Sequence, residues 1–479
     1  MSDPLALISF AVAASGGRID DFDAAQLIAA GTTLLQRSAP LVRALSGRRS
    51  AILLPTDPAF LTALSASDGR AAVLLNPLAS ASEIAYQVGD ASVGAVFTTE
   101  ALASRVPEHI ATVLLDDAPR KARLLHEGRS TEIDLGSHFA LSLEGDPNTA
   151  GSSEDAVVIY TSAMNGFARG ARLTHRNILS NARATVAAAG ITQKDHSLAL
   201  LPFSHLFGLV VSATAPLLAG ARVTTMDRFN PVRALDLIAG GDITMLVGVP
   251  AVYRALLHVM ENADAQFTDH QLRVCICGGA PLDVSLQDRW FESTRVELRQ
   301  GYGLTEAGPV CLFNDIAIDN RRGSMGRAFP GVELTLKEPG SNKDVASNEI
   351  AEICVRGDNV FSGYINDAKD ALQFTDNWLH TGDLAVRNED GSFEFRGVSK
   401  DMFTRNGFNI YPREIERVVE TLSGVEAAHA YAIPNPIREN DIGLEVTGNV
   451  SVTDVKEWCA IHLGAYKQPS TVSIVHASS

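Results

Sequence analysis

Cysteine is scarce in this chain: five residues in 479, at positions 275, 277, 311, 354 and 459. An odd number without regular spacing excludes the disulfide framework that staples small secreted domains. Only Cys275 and Cys277 lie close, as C-x-C in RVCICGG, and no second pair or nearby histidine completes a zinc set. Alternation along a strand puts both on one face, so buried thiols in a reducing compartment are expected. An excess of positive charge is missing too. Forty Lys and Arg stand against 56 Asp and Glu, a net −16, with no basic stripe, which argues against a nucleic-acid partner. Biased tracts and fixed-period repeats are absent. The stretch from Ser197 to Ala221 carries no charged residue, yet Pro202, His205, Gly208 and Pro216 interrupt it. A buried strand and helix are expected there rather than a membrane span. The N-terminal MSDPLALISF has Asp3 where a signal peptide has basic residues, so a cytoplasmic protein is expected.

What is present is a large apolar complement, 46% of residues, on a chain long enough for two or more domains. SAILLP, AAVLLNP, VGAVFTT, ATVLLDD and AVVIYTS are short β-type runs ending in turn or cap residues, and helical patterns such as ASEIAYQVGD lie between them. That alternation predicts an α/β fold with buried, partly parallel sheets. The rhythm resumes at ARVTTM, ITMLVGVP and LRVCICGGAPL. From about Gly323 shorter strands and turns predict a β-rich subdomain. In the tail, YPREIERVVETL and VKEWCAIHLGAYKQPS read as amphipathic helices flanking a strand at EAAHAYAIPNP.

Three segments carry candidate chemistry. TSAMNGFARG follows a strand-like run and offers Thr161, Ser162, Gly166 and Arg169 to phosphate oxygens, although a plain strand-to-helix turn fits it equally. RQGYGLTEAGP places Tyr302, Thr305 and Glu306 on a glycine-jointed loop: a ring for a base, a hydroxyl for a phosphate, a carboxylate for Mg²⁺. In WLHTGDLA, Asp383 is expected on a tight turn, where a carboxylate can accept both hydroxyls of a ribose.

Taken with LPFSHLFGL, CGGAPL, SMGRAFPGVEL, VRGDNVFSGYIND and KDMFTRNGFNIYPREIE, these blocks resemble the acyl-adenylating superfamily of acyl-CoA synthetases, peptide-synthetase adenylation domains and luciferases, in the same order from about Ala51 onward. The last block is most similar to the acyl- and aryl-CoA ligase branch. The resemblance implies a large AMP-binding domain over 1–398 and a small, mobile α+β domain over 399–479 that swings about Lys400. It also implies a two-step reaction, in which a small carboxylic acid attacks ATP to give acyl-AMP and the thiol of CoA, or of a phosphopantetheinyl carrier protein, displaces AMP.

By the same resemblance Thr161, Ser162, Gly166 and Arg169 face the β- and γ-phosphates. Gly279, Ala280, Gly301, Tyr302 and Gly303 hold the adenine side, Thr305 the α-phosphate, Glu306 the Mg²⁺ and Asp383 the ribose. His205 borders the carboxylate site, with a plain core histidine as the alternative, and Val247, Gly248, Val249 and Pro250 line the acyl pocket.

Three departures concern adenylation. Ala163, Met164, Asn165, Ala168 and Arg169 replace the family's Gly, Thr, Thr/Ser, Pro and Lys. Val398 stands where the family has an arginine, with Arg396 two residues earlier as a possible substitute. The family's catalytic lysine follows a Pro-x-x-x-x-Gly-Lys pattern beyond YKQPSTVSIV, which is expected to be lacking here; Lys467 is too early to match it. Three functions therefore stay open: a divergent ligase, an enzyme of the thioester-forming half alone, or a non-catalytic binding protein.

Overall fold

The computed structural model describes residues 7–68, 70–136, 154–161, 168–262, 269–339, 341–346, 348–366, 374–398 and 403–475. The apolar runs SAILL, AAVLL, VGAVFT and AVVIYT supply the strands Arg49–Leu53, Ala72–Leu74, Val93–Thr98 and Asp155–Thr161 of an eight-stranded sheet. They pair in parallel. Helices cover such sheets on both faces, so the strands are apolar throughout instead of alternating. Arg169–Thr174 closes one edge, antiparallel to Asp155–Thr161. The helix Ala81–Asp90 starts at a capping box: Glu83 N donates to Ser80 Oγ at 3.2 Å and Ser80 N donates to Glu83 Oε2 at 2.7 Å.

A nine-stranded sheet holds His196–Ala199, Met245–Gly248, Val274–Cys277 and Leu298–Gly303 in parallel at its centre. The uncharged stretch enters it as His196–Ala199 and then forms a buried helix, but of π type over Phe207–Thr214 before a short α-helix at Ala215–Leu218. Among the described residues no helix is long and apolar enough to cross a membrane. The wider turn is stabilised locally, since Thr214 Oγ1 donates to Leu209 O at 2.8 Å.

The change of texture near Gly323 becomes a five-stranded sheet of Val332–Lys337, Ala351–Gly357, Phe374–Thr375, Trp378–Arg387 and Phe393–Val398. The chain then forms a small C-terminal domain with its own apolar core around Ile415, Ile442, Val446 and Val455. It contains a hairpin (Phe403–Arg405 and Phe408–Ile410), the helices Pro412–Glu420 and Val452–His462, and a three-stranded sheet.

One polar contact ties two central strands together. Tyr253 is fully buried, packs edge-on against Trp290 at 4.8 Å, and donates its hydroxyl to Leu246 O at 3.0 Å and Ile276 O at 2.9 Å. The two carbonyls keep their ladder amides when the hydroxyl is removed, so only its own net hydrogen bond is lost. Tyr253→Phe is expected to destabilise the large domain by about 0.5–1.5 kcal/mol, read as a lower denaturation midpoint at unchanged slope.

Candidate active-site cleft

Three sheets meet at a cleft of about 770 Å³. The eight-stranded sheet supplies Thr161 at the end of its strand, the nine-stranded sheet supplies Tyr302 and Glu306, and the five-stranded sheet supplies Asp383. Tyr302 lies on the strand Leu298–Gly303 rather than on a loop, and the pairing slips after it, between Tyr302 and Gly303. The slip demands glycine: a Cβ at Gly303 would stand 1.8 Å from Pro309 O. Thr305–Ala307 follows as a single 3₁₀ turn that points Glu306 inward.

Asp383 likewise sits inside the ten-residue strand Trp378–Arg387, not on a tight turn. Gly382 takes φ +76° and donates its N–H to Glu352 Oε1 at 2.7 Å, so the backbone kinks without leaving the sheet. Asp383 N donates to Thr381 Oγ1 at 3.1 Å. Beneath the kink, Glu352 Oε2 and Cys354 Sγ lie 3.0 and 3.5 Å from His380 Nδ1. These three donors all fall within 4.8 Å of one another, a set able to hold a metal ion, and in this structure they brace the strand.

The two acids are held by hydroxyls. Tyr302 donates to Asp383 Oδ2 at 2.6 Å. Thr161 and Tyr364 donate to Glu306 Oε1 at 3.1 and 2.7 Å. Burial, reinforced by Asp383, pushes the Tyr302 phenol well above its usual range. Arg169 stacks its guanidinium 3.6 Å above the Tyr364 ring. His205 presents its ring to the lumen, and Phe207 N donates to its Nδ1 at 3.2 Å. In the neutral ring this leaves Nε2 as the donor. The surrounding protein lowers the imidazole below its ordinary value, which favours that neutral form.

Gly279, Ala280, Gly301, Gly303 and Thr305 also line the cleft. Val247 is fully buried in its strand and, with Gly248, Val249 and Pro250, stands off the lining. Apolar contact at the lumen comes instead from Phe207, Val211, Ile276, Phe313, Met325 and Phe329, on elements far apart in sequence. Arg396 pairs with Glu394 at 2.6 Å and does not line the cleft. Ser162, Gly166 and Lys400 lie outside the described residues.

Tyr364 and Tyr411 were not marked by the sequence reading. Tyr364 falls in the block VRGDNVFSGYIND, which was visible, but its bond to Glu306 spans 58 positions. Tyr411 comes from the small domain, where burial, with Glu306 and Asp383 nearby, raises its phenol well above the usual range.

The profile of the AMP-binding enzyme family matches residues 42–365. The chain belongs to that family, and its fold is that of the acyl-adenylating acyl-CoA synthetases. A long-chain-fatty-acid–CoA ligase from Salmonella typhimurium is 35% identical over 327 residues, a match spanning 66% of this chain and 57% of that relative. Among solved structures, a malonyl-CoA ligase with methylmalonyl-CoA and AMP bound is 25% identical, with a TM-score of 0.78 over 97% of this chain and 96% of that one. ATP-bound MatB from Rhodopseudomonas palustris is also 25% identical, with a TM-score of 0.69 over 99% of this chain and 95% of that one.

The environment of His205 has a pH consequence. A ¹³C-labelled histidine titration is expected to show His205 protonating below the free-imidazole midpoint.

Proposed function

We propose that the protein is a ligase that activates a small carboxylic acid with ATP as an acyl-adenylate and passes the acyl group to a thiol, CoA in the simplest case. One observation carries the reading: a single cleft gathers Tyr302 and Asp383, Thr305 and Glu306, and the neutral, donating ring of His205. Asp383 and Tyr302 fit a ribose and its base, and Thr305 an α-phosphate oxygen. Glu306, bracketed by the hydroxyls of Thr161 and Tyr364, offers the hard oxygen set that Mg²⁺ prefers, and the ion would supply charge neutralisation at the phosphates. His205 Nε2–H donates to an acid or acyl oxygen at the mouth of the apolar wall.

In such a reaction positioning and neutralisation do most of the catalytic work. The phosphate-loop departures therefore bear on the first half-reaction. Ala163 removes glycine freedom from the loop, and Met164 and Asn165 remove two hydroxyls, while Asn165 keeps an amide donor and Arg169 a cation. Two lost charge-assisted hydrogen bonds amount to about 3–6 kcal/mol at most.

A second reading, thiol transfer from a preformed acyl-adenylate, rests on the thinned phosphate loop, which bears on attack on ATP and not on transfer to a thiol. A carrier protein in place of CoA is compatible with the same cleft.

Carboxylate-dependent pyrophosphate release across a panel of acids, run beside thioester formation from supplied acyl-adenylates, tests both readings. Thiol transfer is expected to be the faster half by roughly a hundredfold, about 2.7 kcal/mol. A blank panel with slow but real thiol transfer would establish the second reading. Asp383→Ala is expected to weaken AMP binding at least tenfold, or about 1.4 kcal/mol, by calorimetry. AMP affinity unchanged by that substitution would overturn the nucleotide assignment.

A further inference from the structure

Lys467 is the most deeply buried lysine at the junction of the two domains, with its side chain 6% exposed. Its Nζ donates to Glu414 Oε1 at 2.6 Å within the small domain and to Glu83 Oε1 at 2.8 Å in the large one. Burial alone opposes its charge, but Tyr466, Glu414 and Glu83 outweigh burial and hold the ammonium well above its usual range. Lys467 ends the 3₁₀ turn Ala465–Lys467, and that turn supports one wall of the cleft. Tyr466 lines the cleft and stacks on Phe408 at 4.6 Å, and Arg405 Nη1 donates to Tyr466 O at 3.1 Å and Gln468 O at 2.9 Å. Thr404, Gly407 and Phe408 of the adjoining hairpin line the same wall.

The fit around this clamp is close. Gly407 has φ +77°, and a Cβ there would come within 2.6 Å of Val249 Cγ1 of the large domain. Further contacts along the seam are weaker or more exposed. Ala465 N donates to Leu78 O at 3.3 Å, Ser82 Oγ donates to Ile461 O at 3.3 Å, and Arg254 lies 3.8 Å from Glu439.

We propose that Lys467 is a positioning residue for the thiol-transfer half-reaction, clamping the small domain to Glu83 so that the hairpin at 403–410 and Tyr466 close the cleft in the orientation that step requires. The assignment of the step rests on the proposed function above; the clamp itself rests on the contacts. An ion pair suits the task. It is directional, and when the small domain turns away Glu83 returns to water while Lys467 keeps Glu414, so the docked and undocked arrangements stay interconvertible.

Glu83→Gln is the informative variant. Glutamine keeps the capping box at Ser80 and so the start of the helix, while Lys467 stays paired with Glu414, so the small domain keeps its internal neutralisation. Thioester formation from a supplied acyl-adenylate and CoA is expected to lose about tenfold in kcat, with KM for the acyl-adenylate within twofold of the parent. Pyrophosphate release is expected to be retained, so the ratio of the two rates shifts. Equal loss in both halves would mean a structural role only and would overturn the proposal.

Spin labels at Tyr86→Cys and Ile461→Cys, exposed positions on the two sides of the seam, give a readout that needs no activity. The parent is expected to show one narrow distance distribution, and Glu83→Gln a second, longer population. Identical distributions would sink the clamp. If no acyl-adenylate reacts with either protein, the functional reading fails while the distances still decide the clamp.

Discussion

Two carboxylates organise this molecule, Glu306 buried and Asp383 half-buried. Glu306 and Asp383 stand where three sheets converge, and a carboxylate out of water must find donors or lose its charge. Tyrosine and threonine hydroxyls answer that need: Tyr302 for Asp383, Thr161 and Tyr364 for Glu306. The Tyr302 bond joins the nine-stranded sheet to the five-stranded one, and the Thr161 bond joins the eight-stranded sheet to the turn that carries Glu306, so satisfying the acids also fixes how the layers meet. Under the proposed function, a phenol can release its carboxylate to a ribose without leaving a stranded charge of its own, which an arginine in the same place could not do.

The small domain completes the enclosure from the opposite side, and it does so with aromatic surface and backbone. Phe408, Tyr411 and Tyr466 bring flat, apolar area with polar tips, and Gly407 lets the hairpin approach Val249 closely. The large domain thus carries the acids, and the small domain supplies an aromatic wall facing them.

Much of this was legible in the sequence, for stated physical reasons. Parallel strands buried on both faces appear as uninterrupted apolar runs, and ASEIAYQVGD appears as a helical pattern between two of them. Both are local rules, and both describe what folded. Tyr302, Thr305, Glu306 and Asp383 were visible as motifs, and the structure brings all four to one cleft. Their local geometry was less accessible. The slip after Tyr302 depends on Pro309, and the kink at Gly382 depends on Glu352, thirty positions earlier. The acyl wall was placed at Val247–Pro250 by family resemblance, but Val247 and Gly248 are buried within their strand, Pro250 opens the next helix, and none of the four lines the lumen. Tyr364 and Lys467 act only through partners remote in sequence, and pattern reading has no access to such pairings.

All five cysteines are buried, and none lines the cleft. Burial pushes the thiols of Cys275 and Cys354 up to about 12 and that of Cys459 up to about 11. Under the function proposed above, a thiol cosubstrate entering the cleft would meet no protein sulfhydryl able to form a mixed disulfide with it, because the endogenous thiols are both shielded and protonated.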